Sequence, residues 1–197
     1  MKEIIMFLNF SQYVPYFISI FNGKTKPSVS GWLCFSLSLL VTIIASLSLG
    51  TYSVIISCGF SLLCQIIIMC IGLRYNMALR PDKTERLILL IIFISIIAWL
   101  GSGSPSSAIY INICVDIIGT VLIVKKLYQL PDTESFSTWF IGTIGSGLAV
   151  WYFSISIDSL VSYIYLVTVF SSNLIIMGLI TFQKIKFLEK RKNDKIF

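Results

Sequence analysis

Histidine is absent from the 197 residues and charge is scarce, at 12% of positions, about half of what a soluble domain carries. Without histidine, zinc sites, haem sites and most acid–base catalysis lose their commonest side chain. The five cysteines, Cys34, Cys58, Cys64, Cys70 and Cys114, stand singly inside apolar runs with no paired spacing. They read as small hydrophobes rather than ligands, so neither a metal nor a cofactor is expected. A glycine-rich phosphate loop, paired catalytic carboxylates and a nucleophile–base constellation are also missing, which argues against an enzyme. So little charge excludes a water-soluble globule, a disordered chain and a nucleic-acid-binding module.

What is present is apolar: 56% of residues are hydrophobic and the mean hydropathy is +0.90. Apolar runs fall at 4–22, 30–49, 53–73, 87–101, 108–130, 136–154 and 161–183, divided by Gly, Pro, Ser and charged residues at 23–27, 80–85, 101–107 and 131–134. Runs of about 20 residues suit bilayer-spanning helices. Seven spans leave no room for a separate soluble domain. Lys2 before the first run resembles a signal peptide, but Asn9, Ser11 and Gln12 interrupt the run, and a retained first helix is expected.

Positive charge occupies alternate connections. Lys24 and Lys26, then Arg74, Arg80, Lys83 and Arg86, then Lys125 and Lys126, then Lys184, Lys186, Lys190, Arg191, Lys192 and Lys195 make up all the basic residues except Lys2, and the turns near Gly50, Ser104 and Ser156 hold none. With seven spans this predicts an outer N-terminus and a cytoplasmic C-terminus, in a plasma (inner) membrane rather than that of an organelle.

One internal shift aligns two parts of the chain. Ser28, Ser30 and Trp32 match Ser135, Ser137 and Trp139 at an offset of 107, which also pairs Asn9 with Asp116, Ser61 with Thr168 and Gln65 with Ser172. Capping accounts for serines at helix starts, but not for polar positions coinciding inside three successive spans. The expected fold is therefore all-α and integral to the membrane, with seven transmembrane helices in a 3+1+3 order. Residues 1–76 form one three-helix repeat, 77–107 a linker helix with its loops, 108–183 the second repeat, and 184–197 a basic cytoplasmic tail.

Pro15 in the first run, the Lys24-Thr25-Lys26 turn and the Ser28-x-Ser30-x-Trp32 helix start resemble a PQ-loop repeat, the family of SWEET sugar transporters and cystinosin-like exporters. Gly119, Lys126, Pro131, Glu134, Ser135 and Trp139 give the second copy the same outline. Tyr16 stands where the family has Gln, and Leu122-Ile123 replaces the second proline. The resemblance implies two parallel three-helix bundles around an axial solute path, with Pro15 as a gating hinge.

Asp116 is the one acid well inside a span, about 12 Å from the outer helix end at 1.5 Å per residue. Such a charge is costly in lipid, so it should face a partner or a wet cavity. Asn112 and Thr120, four residues to either side, extend one polar stripe. Asn9, Gln12, Tyr13 and Tyr16 share a face of the first helix; Ser57, Ser61 and Gln65 repeat this in the third, and Tyr165, Thr168, Ser172 and Asn173 in the seventh. Asn9, Gln12, Gln65, Asn112, Asp116, Ser172 and Asn173 are the candidate solute ligands, and Asp116 the candidate proton-coupling group. The helices of Asn9 and Asp116 are expected to be neighbours lining one cavity. Gly142, Gly145, Ser146 and Gly147 suit close helix packing, Trp151 an outer-interface anchor, and Glu134 the start of a helix.

These features suit a transporter of a small polar solute such as a sugar or amino acid, with the lipid bilayer as the other partner, no nucleic acid, and room for a homo-oligomer. The alternative is a non-transporting seven-helix receptor on the same scaffold.

Overall fold

A computed structural model describes the backbone of residues 1–48, 52–74, 80–102, 105–154 and 160–193, and side chains within these except at 48, 52–57, 102, 105–106, 161–162 and 187–193. The turns around Gly50, Ser104 and Ser156, the side chain of Ser57 and the basic side chains beyond Lys186 lie outside the described residues. The chain is all-helical, with no strand among the described residues. Its helices are α1 (Lys2–Ser11), α2 (Tyr13–Phe21), α3 (Val29–Ser48), α4 (Tyr52–Arg74), α5 (Lys83–Ser102), α6 (Pro105–Gln129), α7 (Phe136–Phe153) and α8 (Leu160–Asn193).

α1 and α2 are one span broken at Gln12. Pro15 has no N–H to offer the Ser11 carbonyl four residues back, and falls in the first turn of α2, where that loss is tolerated. Side chains cover neighbouring carbonyls instead: Gln12 Nε2 donates to Asn9 O at 2.9 Å and Ser11 Oγ to Leu8 O at 3.1 Å. α2 ends at Gly23, whose φ of 67° is accessible to glycine without strain. There the Gly23 and Lys24 amides donate back to Ile20 O and Ser19 O at 2.8 and 3.0 Å, closing the helix in a Schellman motif. Ser28 starts α3 by accepting the Gly31 amide at 3.2 Å, and Ser135 stands at the N-cap of α7.

Segments 2–21, 29–47, 83–101, 107–129 and 163–186 are long and apolar enough to cross a membrane, and 58–74 is a shorter apolar helix. α7 is not among these segments, and Thr138, Gly142, Thr143, Gly145 and Ser146 line its buried face. α5 makes the membrane solvent plain: it buries Ile92, Ile96 and Trp99 along one stripe and turns Leu90, Ile91, Phe93, Ile94, Ile97 and Leu100 outward, each at least half exposed. Water would not tolerate that surface, whereas lipid does. The chain is built as an integral membrane protein. α8 continues beyond position 183, so part of the basic tail is helical.

α3 packs on α4 and α6, α7 packs on α8 and α1, α6 also packs on α8, and among the described residues α5 touches only α3 and α6. Three buried clusters hold this arrangement. One seats α5 through Ile92, Ile96 and Trp99 against Cys34, Val41, Val115 and Leu122. A second gathers Tyr16, Ile20 and Trp32 with Met69 at its edge, and a third gathers Ile123, Leu127, Trp139 and Ile176. These last two quartets are related position for position by the offset of 107.

Candidate solute cavity

Between α1, α3, α4, α6, α7 and α8 lies a cavity of about 330 Å³, at the lower end of small-molecule sites. Six of the seven candidate ligands line it: Asn9, Gln12, Gln65, Asp116, Ser172 and Asn173. Asn112 does not. It is buried one turn from Asp116 and donates from Nδ2 to Thr42 Oγ1 at 2.8 Å, tying α6 to α3. Pro15 lies at the α1–α2 break and outside the cavity lining. Asn9 and Asp116 share the cavity, but their helices are not packed neighbours: α1 rests on α7 and α4. The small face of α7 draws α1 toward it, leaving the cavity between α1 and α6.

Glycine allows that approach. A Cβ on Gly142 would stand 2.5 Å from Gln12 Oε1 and 2.8 Å from Asn173 Oδ1, and one on Gly145 would stand 2.8 Å from Asn9 Oδ1. The reverse contact occurs across the cavity, where a Cβ on Gly119 of α6 would meet the Phe35 ring of α3 at 2.9 Å. Gln12/Gly142 and Gly119/Phe35 are the same pair of positions under the offset of 107, with large and small residues exchanged. Asn9/Gly145 corresponds likewise to Asp116/Ser38, and the Asp116 carboxyl faces the hydroxyls of Ser38 and Tyr165.

Toward the turns at 23–28 and 130–135 the cavity is bounded by the indoles of Trp32 and Trp139, with ring centroids 6.2 Å apart. Behind them lies a buried polar network that sequence reasoning missed. Glu134 forms an ion pair with Lys126 and accepts from Tyr16 OH at 3.2 Å and Trp139 Nε1 at 3.1 Å. Trp32 Nε1 donates to Tyr16 OH at 2.8 Å, and Lys126 Nζ also donates to Thr133 O at 3.0 Å. Both charges are almost wholly enclosed. Glu134 is thus more than a helix-start charge: it joins α2, α6 and α7 directly and α3 through Tyr16. The available signal was a lysine and a glutamate flanking one proline turn, close enough to meet if the chain reversed there.

A second cluster lies at the surface on the same side. Lys125 reaches Asp82 at 2.6 Å and Glu85 at 2.7 Å, while Ser30 donates to Glu85 at 2.8 Å, pinning the start of α5 to α3 and α6. The Lys125 ammonium and the Glu85 amide hold the Asp82 carboxyl below the ordinary carboxylate pKa.

Of the repeat-motif residues, Ser28 bonds Ser30, Ser135 accepts from Thr138 Oγ1 at 3.0 Å, and Ser137 is exposed. Trp151 is 59% exposed on α7. Gln65 donates to Tyr13 OH at 3.2 Å and accepts from Ser36 at 3.1 Å, which fixes α4 to α2 and α3. No group of three or more His, Cys, Asp or Glu residues that could hold a metal ion occurs among the described residues. The cavity offers amides, hydroxyls, one carboxylate and aromatic walls, which suits holding a small polar molecule. No family model, curated protein or solved structure matches the chain.

Proposed function

We propose that the chain is a transporter that moves a small polar solute across the membrane by alternating access. The observation that carries this reading is the cavity, lined by Asn9, Gln12, Gln65, Asp116, Ser172 and Asn173 inside a molecule whose outer surface is made for lipid. Polar side chains used only as glue would meet one another; Gln65 does tie helices together, but the amide oxygens of Asn9, Gln12 and Asn173 and the Asp116 carboxyl border a space that a small solute would fill.

The 3+1+3 reading, with α5 as linker, is supported by equivalent packing: two matched core quartets, two matched helix contacts across the cavity, and paired indoles at its end. Such duplication suits two bundles rocking about a shared path, the arrangement of the PQ-loop and SWEET-like proteins that the sequence resembles. In this reading Pro15 is the hinge of the first bundle and Gly119, at the position equivalent to Gln12, gives the second its close helix contact. The alternating basic loops support, in this reading, an outer N-terminus and a cytoplasmic C-terminus in a plasma membrane.

Asp116 takes up a proton or holds a cationic group, because an uncompensated carboxylate in a membrane cavity needs a positive partner. The test is uptake by proteoliposomes from a mixed metabolite pool, with and without a pH gradient. Wild type should accumulate a solute and respond to the gradient. Asp116→Asn should retain exchange but lose that response. An unchanged rate, affinity and pH profile in Asp116→Asn would make the acid structural.

A further inference from the structure

The cavity distributes hydrogen-bond donors and acceptors unequally. Three of the four side-chain amides on the lining donate to the protein, Gln12 Nε2 to Asn9 O, Asn173 Nδ2 to Val169 O at 2.9 Å and Gln65 Nε2 to Tyr13 OH, while Asn9 Nδ2 has no protein acceptor among the described residues. Their oxygens are a different matter. Gln12 Oε1 and Asn173 Oδ1 both point at the bare Cα of Gly142, and Asn9 Oδ1 at that of Gly145. Among the described residues no protein donor is bonded to any of the three. Two of the cavity hydroxyls also donate to the protein, Ser146 Oγ to Gly142 O at 2.6 Å and Thr138 Oγ1 to Ser135 Oγ, whereas those of Ser61 and Ser172 line the space without such a bond among the described residues. Ser38 Oγ, almost fully buried and facing Asp116, has no hydrogen-bond partner.

Among the described residues the lining presents three amide oxygens without a protein donor and one carboxylate, beside the hydroxyls of Ser38, Ser61 and Ser172, and no Lys or Arg. Trp32, Trp139, Tyr13, Phe35 and Tyr165 supply the remaining wall. An anion would meet acceptors and no positive charge. A polyol would match some oxygens but leave the carboxylate uncompensated. An alkylammonium group brings three N–H donors, no acceptor and the missing charge, and aromatic faces attract it further.

We propose that the solute carries a primary ammonium group, seated between Asp116, Ser38 and the amide oxygens on the far side of the cavity. This rests on the transporter reading and narrows its substrate class from small polar solutes to small organic amines. Gly142 and Gly145 become specificity determinants as well as packing residues, because their missing Cβ atoms leave the amide oxygens room to turn toward a donor.

The experiment compares 4-aminobutanol, 1,4-butanediol and 4-hydroxybutyrate, matched in length and differing in charge. Each is titrated against the full chain in neutral-lipid nanodiscs, and its exchange is measured in proteoliposomes. The amine should bind about tenfold more tightly than the diol, with the acid weakest. Asp116→Asn should bring amine and diol to within about twofold of each other. The wild-type ranking stands by itself if that variant fails to fold. Equal binding of amine and diol, preference for the acid, or an undiminished amine preference in Asp116→Asn would overturn the proposal. Exchange of the diol without the amine would overturn it while leaving the transporter reading intact. Binding and exchange of none of the three would overturn both.

Discussion

The indoles of Trp32 and Trp139, 107 positions apart in the chain, lie with ring centroids 6.2 Å apart and planes inclined by 31°. Each is the fourth residue of the helix it opens, counted from Val29 in α3 and Phe136 in α7. Their N–H groups converge on one acid, Trp139 directly on Glu134 and Trp32 through the Tyr16 hydroxyl. α2, α3, α6 and α7 are thereby joined at the end of the cavity through one enclosed carboxylate and its lysine.

That enclosure makes Glu134 and Lys126 a stability test. Removing one partner leaves the other charge buried and unpaired, at a cost of about 3–5 kcal/mol. Glu134→Leu and Lys126→Met should each lower the thermal midpoint of the detergent-solubilised protein markedly. The double variant should recover most of the loss. Equal and additive losses would mean that the pair does not act as a pair.

Glycine substitutions separate close packing from open surface. Gly142→Ala turns aside the free ends of Gln12 and Asn173, so it should weaken solute binding, while any overpacking cost is offset by about 1 kcal/mol of helix propensity. Gly178→Ala places a Cβ where nothing lies within 4 Å, and should leave the melting temperature unchanged or slightly raised. Paired melting curves of the two variants check this.

Asp82 gives a pH signature on the basic-loop side. Its folded pKa is depressed, so its contribution is present above the unfolded value and is lost as pH falls through the folded one. Asp82→Asn should flatten the acid limb of the stability profile below about pH 4 and leave neutral pH almost unaffected, because the pair is solvent-screened. Thermal melts at stepped pH, for wild type and variant, read this out.

Topology follows from the same basic loops. In a cysteine-free background, a single cysteine at Ser154 should react with an impermeant maleimide added outside cells, and one at Lys24 only after permeabilisation. The reverse labelling would invert the orientation.

Helix positions were legible because each span is a long apolar run closed by Gly, Pro or charge; the break at Gln12 was not, since 4–22 reads as one helix with Pro15 as a hinge. The seven runs foresaw the helices to within a few residues, apart from α8, whose charged extension carries no apolar signal. Asn9, Gln12, Gln65, Asp116, Ser172 and Asn173 could be read as cavity residues because polar groups inside spans are costly and rarely face lipid. Asn112 shares that stripe, and only the position of Thr42 on α3 turns it into a helix tie. Lys126 was hidden for another reason: beside Lys125 it reads as topology charge, and its burial depends on how the 130–135 turn folds back over α2. The separation of α1 from α6 was equally invisible, since it depends on how closely α1 can approach the small residues of α7.

Passage of a solute through this cavity is read out by counterflow into proteoliposomes preloaded with the solute retained from the metabolite pool. Uptake should rise well above that of protein-free liposomes, and should be lost when Gly145→Leu fills the space beside Asn9. Wild-type uptake no greater than that of protein-free liposomes, with the solute still bound, would contradict passage and favour a receptor.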